Sequence, residues 1–273
     1  SIAVALHDKF SLGATVTLDQ LDAEASLVRR APVGLLPGDP DLVRSSLDDE
    51  DTSVGVTFGG LFRPSYRFSV GAVYSRGSKF DIDQSFVANN IFVLPPQLVD
   101  LGTRPLSFNV PDRLGFGAAG RPHDRLLVLF DAVYVRYSDL VDDDFLVLDN
   151  EISQAFGGPP NSEWTAADYG VDDEWEVHAG FEWNVVQGRS NQAFLRGGAF
   201  TDPEHGLRFV GDTGDPITNQ VESIKFNLAP RDDDIGWTFG GGVTLGRQFQ
   251  ADAAWVSIDS FSEFVLSVAI RLP

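Results

Sequence analysis

Along much of this chain apolar and polar residues alternate one by one. The clearest run is Glu174 to Val186. Trp175, Val177, Ala179, Phe181, Trp183 and Val185 share one parity, and Glu174, Glu176, His178, Gly180, Glu182 and Asn184 share the other. A period of two over that length predicts a strand with one apolar and one polar face. The stretch Phe108 to Leu140 carries the same signal twice, as two apolar runs joined by the polar turn Arg121-Pro122-His123-Asp124-Arg125. In its second run Leu126, Val128, Phe130, Ala132 and Tyr134 lie on one face, with Asp131 among Leu127, Leu129 and Val133 on the other. Similar strands are predicted from Ser1 to Leu6, Ser11 to Arg30, Ser53 to Arg63, Phe68 to Phe80, Gln192 to Thr201, Asp234 to Leu245 and Phe249 to Ile258. A closing strand carries Phe264, Leu266, Val268, Ile270 and Leu272. The total is about eleven strands, several longer than the usual five or six residues.

The connections alternate in length. Short turns are expected near Asp8, Pro64, Pro122, Gly188 and Arg247. Long loops are expected at 31–51, which holds Asp48-Asp49-Glu50-Asp51, at 81–105 with Pro95-Pro96, at 141–171 and at 202–233. A helical turn or two is expected within 145–156. Short turns at one end and long loops at the other is the layout of a transmembrane β-barrel, with the short turns periplasmic. A soluble β-sandwich also alternates, but Trp175, Trp183, Trp237 and Trp255 all fall on the apolar face, which suits interfacial girdles of a barrel. The expected fold is therefore an all-β, transmembrane antiparallel β-barrel, with residues 1–273 as a single barrel domain. The hairpin also repeats internally: Arg63-Pro64-Ser65-Tyr66-Arg67 precedes Ala72-Val73-Tyr74-Ser75-Arg76 much as Arg121-Pro122-His123-Asp124-Arg125 precedes Ala132-Val133-Tyr134-Val135-Arg136.

Composition narrows the class. The net charge of −20 argues against nucleic-acid binding. With no cysteine there is no disulfide framework and no thiolate metal site. No run approaches the unbroken apolar length of a transmembrane helix, which a barrel does not need. The four histidines, His7, His123, His178 and His205, are scattered and form no catalytic pattern, so no enzyme activity and no cofactor are expected. The acidic clusters Asp48-Asp49-Glu50-Asp51, Asp142-Asp143-Asp144, Asp172-Asp173-Glu174 and Asp232-Asp233-Asp234 fall at the long-loop ends of strands. Hard divalent cations favour such oxygens; a solvated acidic rim is the preferred reading, and no metal site is assigned.

The hairpin FNVPDRLGFGAAGRPHDRLLVLFDAVYVRYSDL resembles the FadL/TodX family of outer-membrane transporters for hydrophobic compounds. Tyr169 to Val185, Phe194 to Phe209 and Gly240 to Leu272 resemble further strands of that family, so the likeness covers nearly the whole chain. The resemblance implies about fourteen strands in a full-length member, a bacterial outer-membrane location and an N-terminal hatch. The hatch and its Asn-Pro-Ala kink are not found in this sequence, so the chain is expected to be the C-terminal portion of a longer protein. The implied function is passive uptake of hydrophobic small molecules such as long-chain fatty acids. The alternative is a scaffold barrel within an outer-membrane protein assembly. Expected partners are outer-membrane lipid and lipopolysaccharide, a hydrophobic ligand and, under the scaffold alternative, other outer-membrane proteins.

Candidate ligand contacts come from the inward parity. Arg113, His178 and Arg196 are placed to meet a substrate carboxylate, arginine by a bidentate contact. Phe194 and Phe200 share a face with Arg196 and offer apolar walls. The competing expectation is that these arginines pair with Glu176, Glu182 or Asp131 as struts inside the barrel.

Overall fold

The computed structural model describes residues 1–30, 41–90, 97–141, 169–188, 190–212, 216–226, 233–246, 248–259 and 261–270. Eleven strands follow one another along one antiparallel sheet. They are β1 (Ile2–His7), β2 (Phe10–Arg30), β3 (Asp41–Ser65), β4 (Phe68–Arg76), β7 (Arg113–His123), β8 (Leu126–Val135), β10 (Glu174–Gln187), β11 (Asn191–Asp202), β13 (Asp234–Leu245), β14 (Phe249–Ile258) and β15 (Phe261–Ile270). A hairpin of β5 (Lys79–Asn90) and β6 (Gln97–Asn109) joins this sheet through β3. Two short strands, β9 (Tyr169–Gly170) and β12 (Arg208–Phe209), pair with each other, and one helix, α1 (Pro216–Phe226), lies after them.

The lengths carry a physical message. From β4 onward the strands of the main path run from 9 to 14 residues, against about 9–11 for a tilted strand crossing a bilayer. β2 and β3 are far longer, at 21 and 25 residues. Their outward pairs show where the apolar band stops. Leu12, Ala14, Val16 and Leu18 face Gly60, Phe58, Val56 and Val54; the next outward positions are Gln20, Asp22 and Glu24 facing Thr52, Glu50 and Asp48. Leu18 is 76% exposed, as only a lipid-facing or unpartnered apolar side chain would be. Beyond the Leu18–Val54 rung the hairpin continues as a polar extension.

That extension corrects two sequence expectations. The loop expected at 31–51 is strand from Asp41 onward, so Asp48-Asp49-Glu50-Asp51 lies within β3. The loop expected at 81–105 is largely the β5–β6 hairpin. β5 pairs directly with β3 from Val43↔Ala88 to Leu47↔Gln84. Past that point side chains of β3 replace its backbone as acceptors. Asp49 Oδ2 accepts the Asp83 amide at 2.8 Å, Asp51 Oδ2 accepts the Asp81 amide at 2.8 Å, and Ser53 Oγ accepts the Lys79 amide at 3.1 Å. Two carboxylates of the acidic cluster thus extend a β-ladder. Phe80, Ile82 and Phe86 are buried within this hairpin region. The loop expected at 202–233 contains β12 and α1, with Pro216 at the first helical position, where its missing N–H costs no hydrogen bond. Asp142-Asp143-Asp144, the helical turn expected at 145–156, Pro95-Pro96 and Leu272 lie outside the described residues.

The repeated pentapeptide has a structural reason. Tyr74 Oη donates to Asp112 Oδ2 at 2.6 Å, and Tyr134 Oη donates to Asp173 Oδ2 at 2.9 Å. Each aspartate precedes the next strand of the sheet, and its other oxygen accepts a backbone amide just beyond the donor strand: Gly77 in one case, Ser138 in the other. The tyrosine thus brackets the top of its own strand to the entry of the next.

Two outcomes follow from these contacts. Replacing Asp49 and Asp51 with Ala strands the Asp81 and Asp83 amides, each bond to a charged acceptor being worth roughly 1.5–3 kcal/mol. Hydrogen exchange at Asp81 and Asp83 should then accelerate at least about tenfold, with exchange in β10 and β11 unchanged. The second concerns Asp173. Burial alone would raise its carboxyl, but the Ser138 amide and hydroxyl, the Tyr134 hydroxyl and Arg136 together hold it below the usual carboxylate range. A depressed folded value means that the bracket stabilises the fold above the ordinary carboxylate pKa of about 3.9 and that this is lost as pH falls through the lower folded value. Carboxyl ¹³C titration should put the Asp173 midpoint under that reference; a midpoint above it would contradict the bracket.

Candidate functional site

The face opposite the exposed apolar one is built on small and polar residues. Register aligns its positions into rungs across β8, β10, β11, β13, β14 and β15. One rung is Asp131–His178–Phe200–Gly236; the next but one is Leu127–Glu182–Arg196–Gly240–Ala254; the one below is Phe194–Gly242–Asp252–Ser267. A cavity of about 450 Å³ lies against this face, lined among others by Asp131, His178, Glu182, Arg196, Phe200, Thr238, Asp252 and Ser267. A second hollow of about 600 Å³ lies against Gly13, Thr15, Thr57, Gly59, Gly71, Gly115, Gly117 and Asp131. Asp131 belongs to both, so the inner face is hollow on either side of β8.

Glycine keeps this wall smooth. A Cβ at Gly236 would stand 2.1 Å from Cζ of Phe200, and one at Gly242 would stand 2.5 Å from Cζ of Phe194. Both rings therefore lie over the bare backbone of β13 instead of projecting into the open space, an arrangement in which cross-strand aromatics cover strand glycines. Outside, Phe181 covers Gly197 in the same way, its ring 2.8 Å from where a Cβ would be.

The charged groups are engaged with one another. Arg196 Nε donates to Glu182 Oε2 at 2.9 Å, Nη1 stands 3.5 Å from Asp252 Oδ1, and the guanidinium stacks over the Phe194 ring at 4.2 Å. Gln250 Nε2 donates to the other oxygen of Asp252 at 2.8 Å. His178 Nδ1 lies 2.7 Å from Asp131 Oδ2. That contact has the distance of an ion pair, yet the oxygen is out of line with the ring nitrogen, which has no aligned hydrogen-bond partner. The His178 ring stacks on Phe200 with centroids 6.1 Å apart.

His178, Arg196, Phe194 and Phe200 are therefore brought together on one wall, Phe194 meeting the cavity through Arg196. Arg113 stands apart. It is the exposed first residue of β7, aligned with Ser75 and Val135, and its charge acts on Tyr137 at the long-loop end. Tyr137 donates to Glu176 Oε1 at 2.6 Å and stacks on His205 at 4.6 Å; burial first, and then the Glu176 bond, pushes its hydroxyl well above the ordinary tyrosine range. Glu176 thus serves a tyrosine at the long-loop end and Glu182 serves Arg196.

Sequence reasoning missed Asp252, which lies two strands from Arg196, and the glycines of β13 that let the two meet. Gly236, Gly240 and Gly242 at alternate positions were the available signal, since three bare inward positions on one strand invite neighbours to cross it. Among the described residues no histidine bonds a serine: His7 and His123 each accept a backbone amide and His205 contacts a backbone carbonyl. No group of three or more acidic or histidine side chains among them is placed to hold a metal ion. No described helix is long and apolar enough to cross a membrane.

No family model and no curated protein matches the sequence. Solved structures do match. The chain is similar to a FadL homologue of Pseudomonas aeruginosa over 96% of its length, with a TM-score of 0.62 and 15% identity. It is also similar to the CymD monoaromatic hydrocarbon channel over 98%, at 0.53 and 16%, and to the Ralstonia pickettii toluene transporter TbuX over 99%, at 0.50 and 15%. It spans 58%, 69% and 66% of those three chains respectively. The chain has the all-β fold of FadL-type channels.

The glycine wall makes its own test. Gly242→Ala places a methyl against Phe194 and Asp252. The substitution should swing the ring into the cavity, at a cost of about 1–3 kcal/mol if it resists. A crystal structure of the variant should show the displaced ring; a ring still flat on β13 would contradict the packing described.

Proposed function

We propose that this chain, with its FadL-type sheet, is the wall of an outer-membrane channel through which hydrophobic small molecules diffuse passively. One observation carries the reading: an exposed apolar band covers one face, while the other is a hollow lined by glycine, flat phenyl rings and charges already paired among themselves. An apolar band of spanning height needs lipid, and a hollow inner face with few convergent polar groups suits a ligand held weakly along its length. The wall lends itself to passage more than to chemistry, since among its described residues none pairs a nucleophile with a base.

The substrate class has two ends. Long-chain fatty acids, implied by the sequence resemblance, carry a carboxylate; the ligands named for CymD and TbuX are uncharged aromatics. Both share an apolar body that the Phe194 and Phe200 rings can meet. Lipid and lipopolysaccharide would surround the outer face, with Trp175, Trp183, Trp237 and Trp255 exposed on it.

Cells carrying the complete protein in a lipopolysaccharide-coated outer membrane should accumulate a labelled hydrophobic probe faster than cells with the empty vector. Thr238→Trp, which fills the hollow from the inner face of β13, should return the rate to the vector level while the protein still assembles. Equal uptake with and without the protein would count against a channel.

A further inference from the structure

The charges inside the cavity do not suit an anion. Three carboxylates, Asp131, Glu182 and Asp252, face one guanidinium and one imidazole. The sum is −2 with His178 neutral and −1 with it protonated. Arg196, the one permanent cation of this group, is committed on three sides: to Glu182, to Asp252, and with its face on Phe194. The commitment is built into the sheet. Arg196 and Asp252 sit on strands separated by β13, and they meet only because β13 presents glycine there. A Cβ at Gly242 would stand 2.4 Å from Asp252 Oδ1. Gln250 then fixes the second oxygen of Asp252.

We infer that Glu182 and Asp252 determine the charge selectivity of the lumen: by holding Arg196 between them they make the wall refuse carboxylates and admit hydrophobic ligands without negative charge. This rests on the channel reading above and deepens it. A bound carboxylate would have to share the guanidinium with Glu182 and Asp252, which already take Nε and Nη1, and would bring a further negative charge beside three existing ones. At the few-ångström separations of a lined cavity, one unbalanced unit charge amounts to about a tenfold or greater change in partition. An alcohol or an arene of the same apolar body meets no such repulsion.

The test compares 1-dodecanol with dodecanoate at neutral pH, two probes with the same chain and different heads, in cells bearing the complete protein. The natural protein should admit dodecanol in preference to dodecanoate. Glu182→Gln with Asp252→Asn releases Arg196, and dodecanoate uptake relative to dodecanol should rise about tenfold. Adding Arg196→Gln to that pair should cancel the gain, which a merely looser barrel would keep. If the double variant does not assemble, Glu182→Gln alone should move the ratio the same way by a smaller factor. Equal entry of both probes into the natural protein, an unchanged ratio in the variants, or a gain that survives loss of Arg196 would each overturn the inference. Entry of neither probe would sink the channel reading, and the inference with it.

Discussion

Backbone amides and carbonyls need hydrogen-bond partners, and the rest of this structure depends on how it meets that constraint, which is strictest under the channel reading, where hydrocarbon offers none. A continuous antiparallel ladder from β1 to β15 pairs the backbone of every strand between them along the path on both sides, with β1 and β15 at its ends. Once the backbone is paired, the side chains are free to divide by parity. One parity faces outward with Val16, Leu18, Phe58, Phe116, Phe130, Trp175 and Phe239, all exposed. The other faces inward with glycine, threonine and the paired charges. The ladder also sets where the apolar band stops, because the outward rungs of β2 and β3 change from Leu18–Val54 to Asp22–Glu50 within two steps.

Outside that band the same need for backbone partners is met differently. Between β3 and β5 the carboxylates of Asp49 and Asp51 and the hydroxyl of Ser53 take the amides that a direct pairing would have used. In water a carboxylate is a good acceptor and its charge stays solvated, so an acidic cluster can serve as ladder there and nowhere inside lipid. The like-charged rungs Asp22–Glu50 and Glu24–Asp48 work against this extension. Inside the sheet the opposite rule holds, and Arg196, Glu182 and Asp252 appear only as a joined group. Partial removal of such a group leaves an uncompensated charge.

Much of this was legible in the alternation. Eleven strands, the short turns, and the outward Trp175, Trp183, Trp237 and Trp255 all follow from a period of two, because successive side chains of a pleated strand point to opposite faces. The β5–β6 hairpin was hidden. Asp81, Asp83 and the prolines near it give a loop composition, and its strand character rests on acceptors supplied by a different strand. The start of β3 was masked by its acidic cluster for the same reason. At the site, parity placed His178, Arg196, Phe194 and Phe200 on one wall, and Glu182 among the partners weighed for the arginines. It could not give Asp252, whose contact with Arg196 depends on the absence of a side chain between them on β13, a tertiary fact carried by Gly242. Arg113 has the right parity but the wrong height, and parity alone does not report height.

The central claim is that the even-numbered residues of β10 line a lumen and the odd-numbered ones meet lipid. This chain has no cysteine, so single cysteines placed in turn from Val177 to Trp183 are its only thiols, and the complete protein without them gives the background. In the complete protein in its membrane, a water-borne thiol reagent should modify positions 178, 180 and 182 and spare 177, 179, 181 and 183, which should instead be quenched by spin-labelled lipid. Uniform labelling along the strand, or the reverse alternation, would contradict the account.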